Sequence, residues 1–263
     1  MTPRDPAPLA LVVPCFNEGR TISASLDALS RWFPAALIVA VDDGSADDTA
    51  AQLAGVATIN PCVRLVRLET NHGKGFAVAA AAPTVRGRDV VVVDADLAYG
   101  ERPIQRAIDG LALADLAVGN RRHVDSRYTV PVRLFGFLYR RHVLGLVFNV
   151  GVRLLLGLTL RDTQCGLKAF RAEAFQAIMA RLRTARFAYD LEVLLIAGGL
   201  GLTRRDVPVE LTIDSGRSSV RLVRDGVLAL REILGLAMRR LRGVYRAMAQ
   251  TDAADSMISK TSA

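Results

Sequence analysis

Asp94 and Asp96 stand two positions apart, directly after the apolar run Val90–Val93. Carboxylates so spaced, where a chain leaves a sheet, can both reach one divalent cation, directly or through water. Magnesium and manganese are held in this way, by carboxylate oxygen together with substrate phosphate. The pair by itself fits a solvated loop equally well, but it has company. Pro14-Cys15-Phe16-Asn17-Glu18, Asp42-Asp43-Gly44-Ser45 and Gly119-Asn120-Arg121 also follow short apolar runs. An acid in such a place can accept hydrogen bonds from a nucleobase or a ribose. Gly73-Lys74-Gly75 can present backbone amides and an ammonium group to phosphate. It has neither the spacing of a Walker A loop nor that of the GxGxxG dinucleotide fingerprint.

Those clusters need elements to hold them. Leu9–Pro14, Ala36–Val41, Val63–Leu68, Val90–Val93 and Asp115–Val118 read as strands. A helix is expected over Glu18–Phe33 with Asn17 as its N-cap. Ser45 is expected to cap the next helix, with Asp47 and Asp48 in its positive first turn. A third helix runs from Gly73 to about Val85, and a fourth has Pro103 in its first turn. Strands alternating with helices predict βαβ units and a mostly parallel sheet. Continuously apolar strands predict a sheet covered on both faces. In open α/β sheets, ligands bind outside the carboxyl ends of the strands. The clusters at 14–18, 42–45, 94–96 and 119–121 then share one rim and form one site.

The chain has 263 residues, enough for one or two domains with a large core. It is 51% hydrophobic and 23% charged, which excludes a disordered protein. The net charge is +8 and is carried by arginine, since lysine occurs only at 74, 168 and 260. Two of those lysines stand inside motifs, and beside a phosphate a compact ammonium is not equivalent to a planar guanidinium. Cys15, Cys62 and Cys165 are odd in number and widely spaced, which argues against a disulfide framework or zinc knuckle. They fit a reducing compartment, and the polar N-terminus does not read as a signal peptide.

The second half of the chain differs from the first. Residues 126–161 lack acids and hold six arginines among Leu, Val and Phe. The run His142–Leu160 approaches the length of a bilayer span, but Asn149 and Arg153 interrupt it, and it reads as an interfacial helix. Residues 214–250 repeat apolar residues at helical spacing with arginine on the other face, as helices on anionic membranes do. Packed helices with a solvated arginine face fit the same pattern. The expected division is a tail at 1–8, a catalytic unit at 9–213 that includes the helical segment 131–160, an amphipathic segment at 214–250 and a disordered tail at 251–263. Aromatic residues make up only 6% and no recognition motif occurs, which argues against a nucleic-acid partner.

In chain order the motifs are PCFNE, VDDGS, HGKG, VVVDAD and VGNRR, then RDTQCGLKAF, FAYDLEVL and VPVE. This series resembles the family 2 glycosyltransferases, over about residues 9–222. Its second half is most similar to the dolichyl- and polyprenyl-phosphate glucosyltransferases. The resemblance implies an α/β fold of the GT-A type, a UDP-sugar donor, a polyprenyl phosphate acceptor and Mg2+ or Mn2+. A peripheral protein on the cytoplasmic face of a membrane is then expected. Many bacterial relatives carry C-terminal transmembrane helices and none is read in this sequence, so the amphipathic helices or a partner are expected to reach the membrane. Pro14 and Glu18 match positions along the nucleoside, and Asp42 and Asp43 match acids at the uracil and ribose. Lys74 matches a lysine near the nucleotide. Asp94 and Asp96, with Ala95 between them, match the metal-binding pair, and Arg121 matches an arginine near phosphate or sugar. Asp96, Arg121, Lys168 and Asp190 are the expected catalytic residues. Gln164 and Glu192 fall on the acceptor side. Arg127, Arg133, Arg217 and Arg221 are candidates for the lipid phosphate, which guanidinium groups bind bidentately. Two places depart from the family pattern: Asn120 stands where serine is usual, and Leu97-Ala98 replaces Gly-Ala or Gln after the acidic pair.

The implied reaction moves a hexose, most simply glucose, with inversion. The acceptor is already an anion, so Asp190 either acts as a base or positions acceptor or sugar. Mannosyl transfer from GDP-mannose is the alternative within the class. Nucleotidyl transfer is the more distant one. It normally shows a GxGxR-type loop after the first strand, where this chain has PCFNEG.

Overall fold

The computed structural model describes residues 7–129, 149–160, 162–186, 188–212 and 222–245. Seven strands form the main sheet: β1 (Leu9–Cys15), β2 (Leu37–Asp43), β3 (Val63–Leu68), β4 (Asp89–Val92), β5 (Leu116–Asn120), β7 (Lys168–Phe170) and β8 (Arg204–Pro208). Their order is β3-β2-β1-β4-β7-β5-β8. β6 (Arg127–Thr129) and β9 (Glu210–Thr212) pair in parallel as a second, two-stranded sheet. The helices are α1 (Ile22–Trp32), α2 (Thr49–Ile59), α3 (Lys74–Ala80), α4 (Glu101–Gly110), α5 (149–156), α6 (Ala172–Met179), α7 (Tyr189–Gly199) and α8 (Leu222–Leu241).

The continuously apolar strands do cover two cores. Ala10, Val12, Val39, Val41, Val90 and Val92 point to one face, and Leu11, Val13, Ile38, Ala40 and Val91 to the other. Period-two alternation therefore feeds a helical layer on each side. All pairings in the main sheet are parallel except those of β7, which runs against both β4 and β5. That reversal has a functional consequence. The first residue of β7, Lys168, pairs with Val92 and Val118 near the carboxyl ends of β4 and β5. A strand of opposite sense thus delivers its N-terminal residue to the same rim.

α3 and α4 start as expected, but the starts of α1 and α2 differ from the sequence expectations, because polar residues there tie loops together. α1 begins at Ile22, and Asn17 adopts φ 57°. The Asn17 N–H donates to Ser45 Oγ at 2.9 Å, and its side-chain oxygen accepts from the Ala46 N–H at 2.9 Å. Asn17 and Ser45 therefore join the exits of β1 and β2 instead of capping helices. α2 begins at Thr49, whose N–H is held by Asp47 at 3.0 Å.

α7 is buried along nearly its whole length, as an all-round apolar helix must be. α8 is apolar on two faces. Ala229, Ile233, Leu236 and Ala237 are buried, whereas Leu230, Leu234, Met238 and Leu241 form an exposed stripe at helical spacing. The arginines of this segment are divided: Arg231 and Arg242 are exposed, Arg239 turns inward to Glu192, and Arg240 donates to the Leu155 carbonyl at 3.4 Å. Among the described residues no helix is long and apolar enough to cross a membrane.

Candidate active site

The rim of β1 and β2 is built from carboxylates in contrasting roles. Asp42 is fully buried. Its Oδ1 accepts from the Ser45 N–H at 3.0 Å, while Oδ2 has no hydrogen-bond partner and lies 3.9 Å from Arg67 Nε. Such a buried, unpaired acceptor is costly without a ligand. Asp43, expected beside it on the donor, is occupied within the protein. It accepts from the His72 N–H at 2.8 Å, the Gly73 N–H at 2.7 Å and Asn71 Nδ2 at 2.9 Å. It shapes the loop that opens α3. Pro14 is half-buried between the buried Val13 and Cys15 at the end of β1, and the Glu18 N–H donates to Thr49 Oγ1 at 2.8 Å. Burial pushes the Glu18 carboxyl above its ordinary value, the Thr21 hydroxyl opposes that shift, and Asp96 adds to it. The loop after β1 and the acidic pair thus feel each other's charge.

The acidic pair follows β4. Asp94 forms an ion pair with Lys74, the first residue of α3. Burial opposes charge on both, and each overcomes it in the other: Asp94 is held below its ordinary value and Lys74 well above. Asp96 is exposed and accepts from the Ala98 N–H at 3.1 Å. Partial desolvation and the neighbouring Asp94 charge push its carboxyl upward. Leu97, which replaces the usual glycine, adopts φ 48° at this turn. Gly166 presses against the pair, since a Cβ there would lie 2.0 Å from Asp94 Oδ2.

Lys168 is fully buried and forms an ion pair with Asp190 at the start of α7; its ammonium also donates to the Cys165 carbonyl at 2.6 Å. Lys74 and Lys168 both lie over the ring of Tyr189, at 5.7 and 5.8 Å from its centroid. Three elements with no sequence proximity, α3, β7 and α7, therefore meet at one aromatic ring. Arg121 follows β5 and is gripped by Asp162, with Nε–Oδ2 at 2.7 Å and Nη2–Oδ1 at 2.8 Å. Burial opposes the charge of Asp162, but Arg121 holds its carboxyl below the ordinary range. Asn120 takes a bracing role: it donates to Asp206 at 3.1 Å and accepts from the Arg122 N–H at 2.9 Å.

The other expected residues differ in their settings. Glu192, expected on the acceptor side, is fully buried, with both oxygens engaged inside the protein. Arg127 is exposed on β6. Gln164 is half-buried in the loop before β7, where its N–H donates to Asp162 at 3.3 Å. Ala95 is buried between the two acids. Arg133, Arg217 and Arg221 lie outside the described residues. Residues given no role from sequence prove central. Asp162 orients Arg121, and Tyr189 seats both lysines. Asn149 is buried, accepts from Arg122 at 3.2 Å and donates to Thr163 Oγ1 at 2.9 Å. The polar break it makes in an apolar run is the signal that could have found it.

Could this rim hold a divalent ion? Two carboxylates of like charge sit together, and Asp96 is pushed upward by its neighbour, so the donor set fits a hard cation. Among the described residues no group of three His, Cys, Asp or Glu side chains is placed to hold a metal.

An open, mostly parallel sheet with acids, lysines and an arginine on one rim is a frame for nucleotide-sugar chemistry. The Glycosyl transferase family 2 model matches residues 10–179, and the chain belongs to that family. It is 30% identical over 257 residues to a dolichyl-phosphate beta-glucosyltransferase of Dictyostelium discoideum, covering 89% of this chain and 77% of that protein. The fold is of the GT-A type. It resembles glucosyl-3-phosphoglycerate synthase from Mycobacterium tuberculosis, solved with Mn2+, UDP and glucosyl-3-phosphoglycerate. The TM-score is 0.60 at 19% identity over 89% of this chain and 80% of that one. A mannosyltransferase from Pyrobaculum calidifontis, solved with GDP-Man and Mn2+, gives 0.56 at 19% identity over 98% and 77%.

Proposed function

We propose that this protein transfers glucose from UDP-glucose to a polyprenyl or dolichyl phosphate, with inversion at the anomeric carbon. The observation that carries the proposal is the meeting of Asp94–Lys74 and Lys168–Asp190 over Tyr189 on one sheet rim. The names of the relatives supply the substrates. Asp42, with its unpaired buried oxygen, accepts an N–H of the base. Pro14 and Glu18 line the nucleoside, and Lys74 and Arg121 face the diphosphate. Asp94 and Asp96 would hold Mg2+ or Mn2+, which when bound supplies positive charge to the leaving diphosphate. An oxygen of the acceptor phosphate attacks the anomeric carbon, the bond from that carbon to the β-phosphate oxygen breaks, and UDP departs with the electron pair. Charge grows on the leaving group, where fixed cations stabilise it most. Asp190, fixed by Lys168, positions the sugar or acceptor and takes no proton from an already ionised phosphate.

The same reading makes the protein peripheral, on the cytoplasmic face, with segments 131–160 and 214–250 toward lipid. Arg127, Arg133, Arg217 and Arg221 are then placed for the lipid phosphate, with Gln164 at the acceptor end of the rim.

The test incubates the protein with radiolabelled UDP-glucose, a short polyprenyl phosphate and Mg2+ or Mn2+, in parallel with GDP-mannose and an Asp96→Ala control. Metal-dependent label in the lipid phase, lost in the variant, is expected from UDP-glucose. Label from GDP-mannose alone overturns the choice of donor. No lipid label from either overturns the acceptor.

A further inference from the structure

Glu192 lies one turn into α7 and is fully buried. A carboxylate in such a place persists only through its partners. Oε2 accepts from the N–H of Arg183 at 3.0 Å and of Thr184 at 2.5 Å. Oε1 accepts from the Tyr245 hydroxyl at 2.9 Å and lies 3.3 Å from Arg239 Nη2. Arg239 also donates to Thr184 Oγ1 at 3.1 Å. One oxygen therefore holds the segment 183–186, and the other holds the C-terminal end of α8 and the residues just beyond it. Glu232 of α8 adds a second tie by accepting from the Ala188 N–H at 2.9 Å.

The segment 183–186 is in turn the wall behind Lys74. The Phe76 N–H donates to the Ala185 carbonyl at 3.1 Å. A Cβ on Gly75 would lie 2.5 Å from the Thr184 carbonyl oxygen, and one on Gly73 would lie 2.7 Å from that of Ala185. Arg186 donates to the Asn71 side-chain and backbone oxygens at 3.0 Å each. Backbone meets backbone here with clearance for glycine alone. The first turn of α3, which carries Lys74, cannot shift unless 183–186 shifts with it.

We propose that Glu192 is a positioning residue for the transfer reaction. It fixes 183–186 against α3 and so holds Lys74 at Asp94. The same carboxylate latches α8, the helix whose outer face is an apolar stripe. One buried group thereby sets both the donor-side lysine and the C-terminal helix. The inference rests on the glycosyltransfer reading above.

The test measures UDP affinity by calorimetry with Mn2+ and no lipid, together with donor KM, kcat and thermal melting, for wild type, Glu192→Gln, Tyr245→Phe and Arg239→Gln. Glu192→Gln is expected to weaken UDP binding and raise donor KM about tenfold, the scale of one lost charge-assisted bond. Tyr245→Phe and Arg239→Gln leave the bonds from 183 and 184 to Glu192 in place. They are expected to weaken UDP about threefold, since each loosens the α8 side of Glu192, Arg239→Gln also giving up the bond to Thr184 Oγ1. Arg239→Lys is expected to recover most of the loss. If Glu192→Gln fails to fold, the two α8-side variants decide. Variants that melt earlier but bind UDP with wild-type affinity overturn the inference alone and leave Glu192 merely structural. A wild type that binds no UDP overturns it together with the reading beneath it.

Discussion

Arg121 illustrates how one residue at the rim is made useful by another. A free arginine samples many rotamers, and holding it in one geometry costs entropy. Asp162 removes that freedom with two guanidinium bonds and accepts the Arg121 N–H as well, at 2.9 Å. The motif RDTQCG therefore reaches Arg121 through its aspartate, and under the function proposed above it acts on the donor side. Asp162→Asn should lower kcat/KM by about 10–100-fold, the loss expected for one charge-assisted partner. It should also cost stability, with a particular pH dependence. The folded carboxyl is held below its ordinary value, so its contribution is fully present above 3.8 and is lost as pH falls through the depressed folded value. Urea unfolding of wild type and variant should show a constant gap near neutrality that narrows only below 3.8. A gap that stays constant into strong acid would show that the carboxylate charge contributes nothing.

At the scale of elements, the parallel strands and their polar ends were legible because burial on both faces demands continuous apolar runs, and those runs stop at the polar rim of the sheet. The starts of α3 at Lys74 and of α4, with Pro103 in its first turn, were legible, but those of α1 and α2 were not. Asn17 and Ser45 have good capping side chains, but each found a partner across the sheet in the other's loop, and tertiary hydrogen bonds outweighed local preference. β7 was hidden because its three residues sit inside a motif and its sense is set by β4 and β5, not by its own sequence. Lys168 and Asp190 stand in separate motifs, and no spacing could show that they pair. Glu192 reads from sequence as an acceptor-side acid, whereas its partners are the backbone of 183 and 184 just before it and Arg239 and Tyr245 some fifty positions onward. α5 carries the sharpest element-scale prediction. Asn149 interrupts an apolar run, so Asn149→Leu makes the sequence more like a membrane span. It also removes bonds to Thr163 and Arg122. Chemical unfolding should show a loss of about 1–3 kcal/mol despite the gain in apolarity. Equal or greater stability would mean that this buried amide does not anchor α5.

For the whole molecule, charge and exposed apolar surface have to be read together. A net charge of +8 draws the protein toward any anionic surface, but salt screens that attraction. Charge alone says nothing of which face arrives. The apolar groups do. α5 exposes Val150, Leu154 and Leu155, and α8 exposes Leu230, Leu234, Met238 and Leu241. The ends of these helices meet, because Arg240 lies over Gly157, where a Cβ would be 2.1 Å from Nη2, and donates to the Leu155 carbonyl. A leucine fully removed from water contributes about 1.5–3 kcal/mol, against about 1 kcal/mol for an arginine at an anionic lipid surface. If both helices enter the interface, the apolar share should dominate and survive salt. Sedimentation with vesicles of phosphatidylcholine and phosphatidylserine should then retain substantial binding as ionic strength rises. Leu154→Asp combined with Leu234→Asp should weaken binding at least tenfold in low and high salt alike, two leucines being enough for that on this scale. Replacing the exposed Arg231 and Arg242 by Gln should instead weaken it only in low salt. Binding that vanishes with salt and ignores the leucines would make the arginines a purely electrostatic attraction, and the two apolar faces would need another occupant.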